Sequence, residues 1–109
     1  MADEKTDIVA ACRAALRIPA DCTAYDDEIS DLVSAARAAL RAGGVAADVS
    51  ESDDASVRVA IKVYAKANFG MDNPDAERLM RSFGDMLTRM AGAAEHKRAR
   101  GDQRDGGAS

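Results

Sequence analysis

The stretch Ile61-Lys62-Val63-Tyr64-Ala65-Lys66-Ala67-Asn68-Phe69-Gly70-Met71-Asp72-Asn73-Pro74-Asp75-Ala76-Glu77-Arg78 decides the fold, because it reads as the end of one helix and the start of the next. Gly70 can take the left-handed conformation that closes a helix, and Asn73-Pro74 restarts the chain with Asn as cap and Pro at the first helical position. So short a connection predicts an antiparallel helix hairpin, with Tyr64 and Phe69 placed to pack on Met80 and Phe83. Upstream, Val57, Ala60, Ile61, Tyr64 and Asn68 share one face of a helix that Ser52 or Asp53 can cap and that runs to about Phe69. Val59 and Val63 form a second apolar strip about 160° away at 100° per residue. Two such strips need two packing partners, so this helix should be central, with Val59 and Val63 meeting another helix or a neighbouring subunit. Arg58, Lys62 and Lys66 make a basic stripe at i, i+4 and i+8, a solvated face or a contact for an acidic neighbour. Downstream, Ala76, Leu79, Met80, Phe83, Leu87 and Met90 line one side of the next helix, and Asp85 precedes Arg89 in the orientation that suits an ion pair.

The N-terminal half carries the same period. Thr6 can cap a helix on which Ile8, Val9, Cys12 and Leu16 recur until Pro19. Asp26, Asp27 and Glu28 put negative charge at the start of a second helix, where the macrodipole favours it. Ile29, Leu32, Val33, Ala36 and Leu40 keep helical spacing, and Gly43-Gly44 supplies the stop. Val45 to Ser52 reads as a loop with acidic flanks. Nothing alternates as a strand and nothing repeats. The expected fold is all-α: a small bundle of about four helices with a disordered C-terminal tail.

Composition sets the limits. The 109 residues hold one domain. Of the apolar residues, 24 are alanine and 27 are larger, so the core must be thin and made by close helix contacts. No large apolar residue follows Met90. Residues 1–90 therefore form the helical domain and 91–109 a flexible charged arm. A net charge of -4 gives no electrostatic footprint for duplex DNA. No run of about 20 apolar residues exists to span a membrane. The polar start Met1-Ala2-Asp3-Glu4-Lys5 differs from a secretory signal, which points to a cytoplasmic origin.

Chemistry finds little to work with. Cys12, Cys22 and His96 are too few for a structural zinc site, and neither CxxC nor HxxxH occurs. Cys12 sits on an apolar helix face and reads as a small buried hydrophobe. A Cys12–Cys22 disulfide would need an oxidising compartment. The cluster Asp26, Asp27, Glu28 and Asp31 lacks the spacing of a calcium loop, and helix stabilisation accounts for it. No glycine loop cradles a phosphate before a helix. No catalytic, metal or cofactor residue is therefore expected, and no cofactor.

The same junction resembles the head–tail connector family of tailed bacteriophages, the adaptor or head-completion proteins. The family pattern is a Tyr-x-Lys-Ala-x-Phe-Gly helix end, then Asp-Asn-Pro and an Ala-Glu-Arg helix start. It stands here as Tyr64, Lys66, Ala67, Phe69, Gly70, Asp72, Asn73, Pro74, Ala76, Glu77 and Arg78, with the expected aromatic at Phe83. Leu16-Arg17-Ile18 and Asp26-Asp27-Glu28-Ile29 agree more loosely, and Met71 replaces a frequent aromatic. The resemblance covers about Ile8 to Met90.

What the resemblance implies is assembly without catalysis. Such proteins form a homo-oligomeric ring under the portal, commonly of twelve subunits in the virion, from chains that can be monomeric when free. The ring extends the DNA channel and offers a surface to a neck or tail-completion protein, and DNA passes without sequence-specific binding. The expected location is the virion head–tail junction, with the host cytoplasm during assembly. Within that frame Arg58, Val59, Lys62, Val63 and Lys66 are candidates for subunit contacts. Asp48, Glu51, Asp53 and Asp54 are candidates for the channel lining. Lys97, Arg98, Arg100 and Arg104 are candidates for docking to portal carboxylates. The competing reading is a small cytoplasmic helical interaction or regulatory module with no virion role.

Overall fold

The computed structural model describes residues 4–70 and 72–105, with side chains for 8–70 and 72–92. Its elements are α1 (Glu4–Ala15), α2 (Asp26–Ala42), α3 (Ala47–Ser50), α4 (Ala55–Asn68) and α5 (Ala76–Asp105), with no strand among the described residues. The all-α bundle is as expected. α4 is its hub, packing against α1, α2 and α5.

The core gathers one stripe from each long helix. Ile8 and Cys12 come from α1, Ile29, Val33, Ala36 and Leu40 from α2, Val57, Ala60, Ile61 and Ala65 from α4, and Phe83 from α5. Ala36, Ala60 and Ala65 are fully buried, so at these points helices approach through single methyl groups. That is how an alanine-rich chain closes a core at protein density.

The helix ends are built by side-chain choice and backbone geometry together. At the end of α2 the Val45 N–H donates to the Leu40 carbonyl and the Gly44 N–H to the Arg41 carbonyl, with Gly44 at φ +107°. This is the paired closure a left-handed glycine allows, with buried Val45 and Leu40 as its apolar contact. The end of α1 repeats it with a less suited residue. The Ile18 N–H donates to Arg13 and the Arg17 N–H to Ala14, and Arg17 itself takes φ +63°. The helix thus stops at Ala15, well before Pro19, because this turn has already reversed the chain. α1 begins at Glu4, so Thr6 lies inside its first turn and not at its cap.

One further correction concerns Val45 to Ser52. This segment is not a plain loop but holds the single turn α3, closed by Ser50 and Ser52 hydroxyls donating to the Ala47 and Val49 carbonyls. Arg37 of α2 fixes it from outside: its Nη1 donates to the carbonyls of Ser50 and Ser52, both at 2.8 Å.

Candidate functional site

The hairpin junction is held by one amide. The Asn73 Oδ1 accepts from the Asp75 N–H at 2.9 Å, while its Nδ2 donates to the Lys66 carbonyl at 2.6 Å and the Ala67 carbonyl at 3.4 Å. One side chain therefore closes the last turn of α4 and supports the approach to α5, which satisfies orphan groups at both ends. Gly70 takes φ +79° as expected, and α4 ends at Asn68. Neither Ser52 nor Asp53 caps α4 as expected: Asp54 holds the N-cap position without a side-chain bond, Ser52 Oγ accepts from the Asp54 N–H, and Asp53 is drawn to Arg58. Asp72, Glu77 and Arg78 lie exposed around the turn, with Arg78 3.5 Å from Asp75. Pro74 does not take the expected first helical position: the chain turns through Pro74 and Asp75, closed by the Ala76 N–H on the Asn73 carbonyl, and α5 begins only at Ala76. Met71 lies outside the described residues.

The aromatics divide between inside and outside. Tyr64 meets Phe83 edge-on at 5.1 Å, which ties α4 to α5. Phe69 instead meets Tyr25 edge-on at 5.4 Å, so its ring partner is the residue before α2 rather than α5. Asn68 Nδ2 reaches Met80 Sδ at 3.4 Å. The Gly70 N–H donates weakly to Glu28 Oε2, at 3.5 Å. Sequence reading missed Tyr25, since nothing local pairs it with a residue 44 positions away.

The acidic start of α2 has structural partners. Asp26 Oδ1 accepts from Arg13 Nε at 2.9 Å, and Arg13 also donates to the Ala20 carbonyl. Among the described residues no group of three or more His, Cys, Asp or Glu is placed to hold a metal.

The second apolar strip of α4 is split. Val63 packs against the core, whereas Val59 stays 44% exposed. Val59 lies in an open groove of about 510 Å³ between α4 and α5, lined also by Ala55, Ser56, Met86, Arg89 and Met90. Arg89 lines this groove, and the expected Asp85–Arg89 pair is not among the ion pairs of the described residues. In the basic stripe, Arg58 is 2.9 Å from Asp53, Lys62 is half-buried and Lys66 exposed. Burial pushes the Cys12 thiol up to about 11, and the nearby charges of Lys62 and Arg58 oppose that rise. Cys12 and Cys22 are both free thiols.

Of the four acidic candidates around α3, two are engaged. Glu51 pairs with Arg41 and Asp53 with Arg58, whereas Asp48 and Asp54 are exposed. In the C-terminal segment Ala91 packs against the core, one residue beyond the expected domain boundary. The backbone of α5 continues to Asp105, while the side chains of His96, Lys97, Arg98, Arg100 and Arg104 lie outside the described residues. No helix among the described residues is long and apolar enough to cross a membrane.

Comparison with known proteins adds one finding to this geometry. The profile of a family described as phage connector protein matches residues 8–97, from within α1 through α2, α3 and α4 into α5. No curated protein and no solved structure matches the chain.

Proposed function

The chain belongs to the phage connector family, and from that premise we propose that it is a structural head–tail connector that assembles as a homo-oligomeric ring beneath the portal. The observation that carries this reading is the extent of the family match, which runs through the whole bundle rather than one motif. The ring extends the DNA channel, joins head to tail and works without catalysis or cofactor. It sits at the head–tail junction of the virion, assembled in the host cytoplasm, and hands its far surface to a neck or tail-completion protein.

Three surfaces divide the labour. Val59, with the basic stripe of Arg58, Lys62 and Lys66 beside it, serves the contact between subunits, and Val63 supports it from beneath. Asp48 and Asp54 face the channel, with Glu51 and Asp53 behind them in their ion pairs, and repeat around the ring as a band of negative potential that lets DNA slide. The arm beyond residue 92 reaches the portal, where Lys97, Arg98, Arg100 and Arg104 meet carboxylates, a contact that weakens with salt.

Mass measurement of the purified chain, alone and mixed with its portal, tests the reading. A closed ring on the portal supports it, and a chain that stays apart from the portal at all ratios overturns it. Truncation after Gly92 should leave a folded domain that no longer joins the portal. Normal attachment of that truncated protein would remove the arm from the account. Neutralising Asp48 and Asp54 should slow DNA passage, and unchanged genome delivery would remove the channel placement.

A further inference from the structure

Three large apolar side chains stay exposed among the described residues: Tyr25 at 46%, Val59 at 44% and Met80 at 37%. They do not form one patch. Tyr25 and Met80 belong to the turn end of the α4–α5 hairpin, linked through Phe69 and Asn68 by the 5.4 Å ring contact and the 3.4 Å amide–sulfur contact. Val59 lies in the groove toward the other end, with Met86 and Met90. The Tyr64–Phe83 and Asn68–Met80 pairs fix the antiparallel register of the hairpin. At about 1.5 Å rise per residue, that register sets Met80 roughly 12 Å along the helix axis from the residue opposite Val59. One end is thus an apolar ridge and the other an apolar groove.

Charge matches the two. Asp27 and Glu28 are exposed in the first turn of α2, immediately after Tyr25, and Glu28 reaches the Gly70 N–H beside Phe69. The groove instead presents Arg89, an exposed cation on its lining. Aromatic rings, methionine and arginine are the side chains interfaces favour, and methionine adapts to an imperfect fit.

We infer that the Tyr25–Phe69–Met80 ridge of one copy seats in the Val59–Met86–Met90 groove of the next, with Arg89 meeting Asp27 and Glu28. The contact is heterologous: each copy gives its ridge to one neighbour and its groove to the other. Repetition of such a contact closes a ring or extends a filament. The inference rests on the ring reading above and gives it a specific joint.

Disulfide trapping tests the joint. In a Cys22→Ser background, with Cys12 left buried, Val59→Cys and Met80→Cys are placed in the same chain. Within one copy the two positions are too far apart to bridge, so any bond links different copies. Mild oxidation of the concentrated chain, and of the chain assembled with its portal, should give a ladder of covalent dimers, trimers and larger species. Each single-cysteine protein should stay monomeric, and a mixture of the two should stop at heterodimers. Arg89→Glu should thin the ladder, and Asp27→Arg on the same chain should restore it. Homodimers from Val59→Cys alone would show a two-fold contact and overturn the proposal. Absence of the 59–80 bond in both settings, whether or not a ring forms, would also overturn it. A ladder without closed rings in electron micrographs would instead fail the ring reading and leave the joint standing.

Discussion

Gly43 and Leu87 compete for one space: a Cβ built on Gly43 would stand 2.3 Å from Leu87 Cδ2 and 2.8 Å from its Cγ. Gly43 has φ −85°, an ordinary value for any residue, so its backbone does not demand glycine. What demands it is the passage of α5 over the end of α2. Gly43→Ala should therefore cost about 1–3 kcal/mol by displacing Leu87. In a Leu87→Ala background the same change should cost far less, a coupling of about 0.5–3 kcal/mol. Urea unfolding of the four proteins measures it, and strictly additive losses would refute the tight contact.

Asn73→Asp tests the amide that bridges α4 and α5. Aspartate is as good a helix cap as asparagine in general, and it keeps the acceptor for the Asp75 N–H. It cannot donate to the Lys66 and Ala67 carbonyls, and its charge would face them. Both Asn73→Asp and Asn73→Ala should lower stability by about 1–2 kcal/mol. An aspartate variant as stable as the parent would show that the donor side of the amide does nothing.

Arg17→Gly should do the opposite. Arg17 is exposed and holds φ +63°, where a Cβ is crowded by the following carbonyl. Glycine removes that strain at the closure of α1, where Arg17 makes no side-chain hydrogen bond or ion pair among the described residues. A gain of about 0.5–1 kcal/mol is expected, and thermal unfolding should show it as a higher Tm. Arg17→Ala keeps the crowding and should show no such gain.

The Cys12 thiol gives a pH signature. Its folded value, about 11, lies above the ordinary value near 9, so the folded state holds the proton more tightly than the unfolded chain. That contribution is fully present below pH 9 and is lost as pH rises through about 11. Cys12→Ala should be less stable at neutral pH yet show a shallower alkaline decline than the parent. Equal slopes from pH 8 to 11 would count against the buried thiol. A thiol reagent at pH 8 should label half-buried Cys22 and spare Cys12 until the protein unfolds.

Legibility in the sequence followed the length of the pattern. α2 was readable because Ile29, Val33, Ala36 and Leu40 repeat over three turns, and all four are buried. The hairpin was readable because Gly70, Asn73 and Pro74 punctuate it within five residues. α3 escaped because four residues cannot display a helical period, and its anchor, Arg37, is an ordinary arginine until the chain folds back on it. Tyr25 escaped for the same reason: its partner Phe69 is distant in sequence. The candidate surfaces divided likewise. Val59 and Val63 share a strip on the helical wheel, but only the packing of α5 decides which of them is covered.

The Asn73 amide has a last consequence, for the order in which the protein comes apart. Helix ends ordinarily fray one at a time, each on its own schedule. Here the last carbonyls of α4 and the approach to α5 share a single side chain, so loosening either end removes the amide from the other. The Phe69 amide, bonded to Ala65, and the Leu79 amide, bonded to Asp75, should then exchange with solvent deuterium as one cooperative unit. The turn should then act as a latch, shut on both helices or open on both, and separate exchange rates for the two amides would refute it.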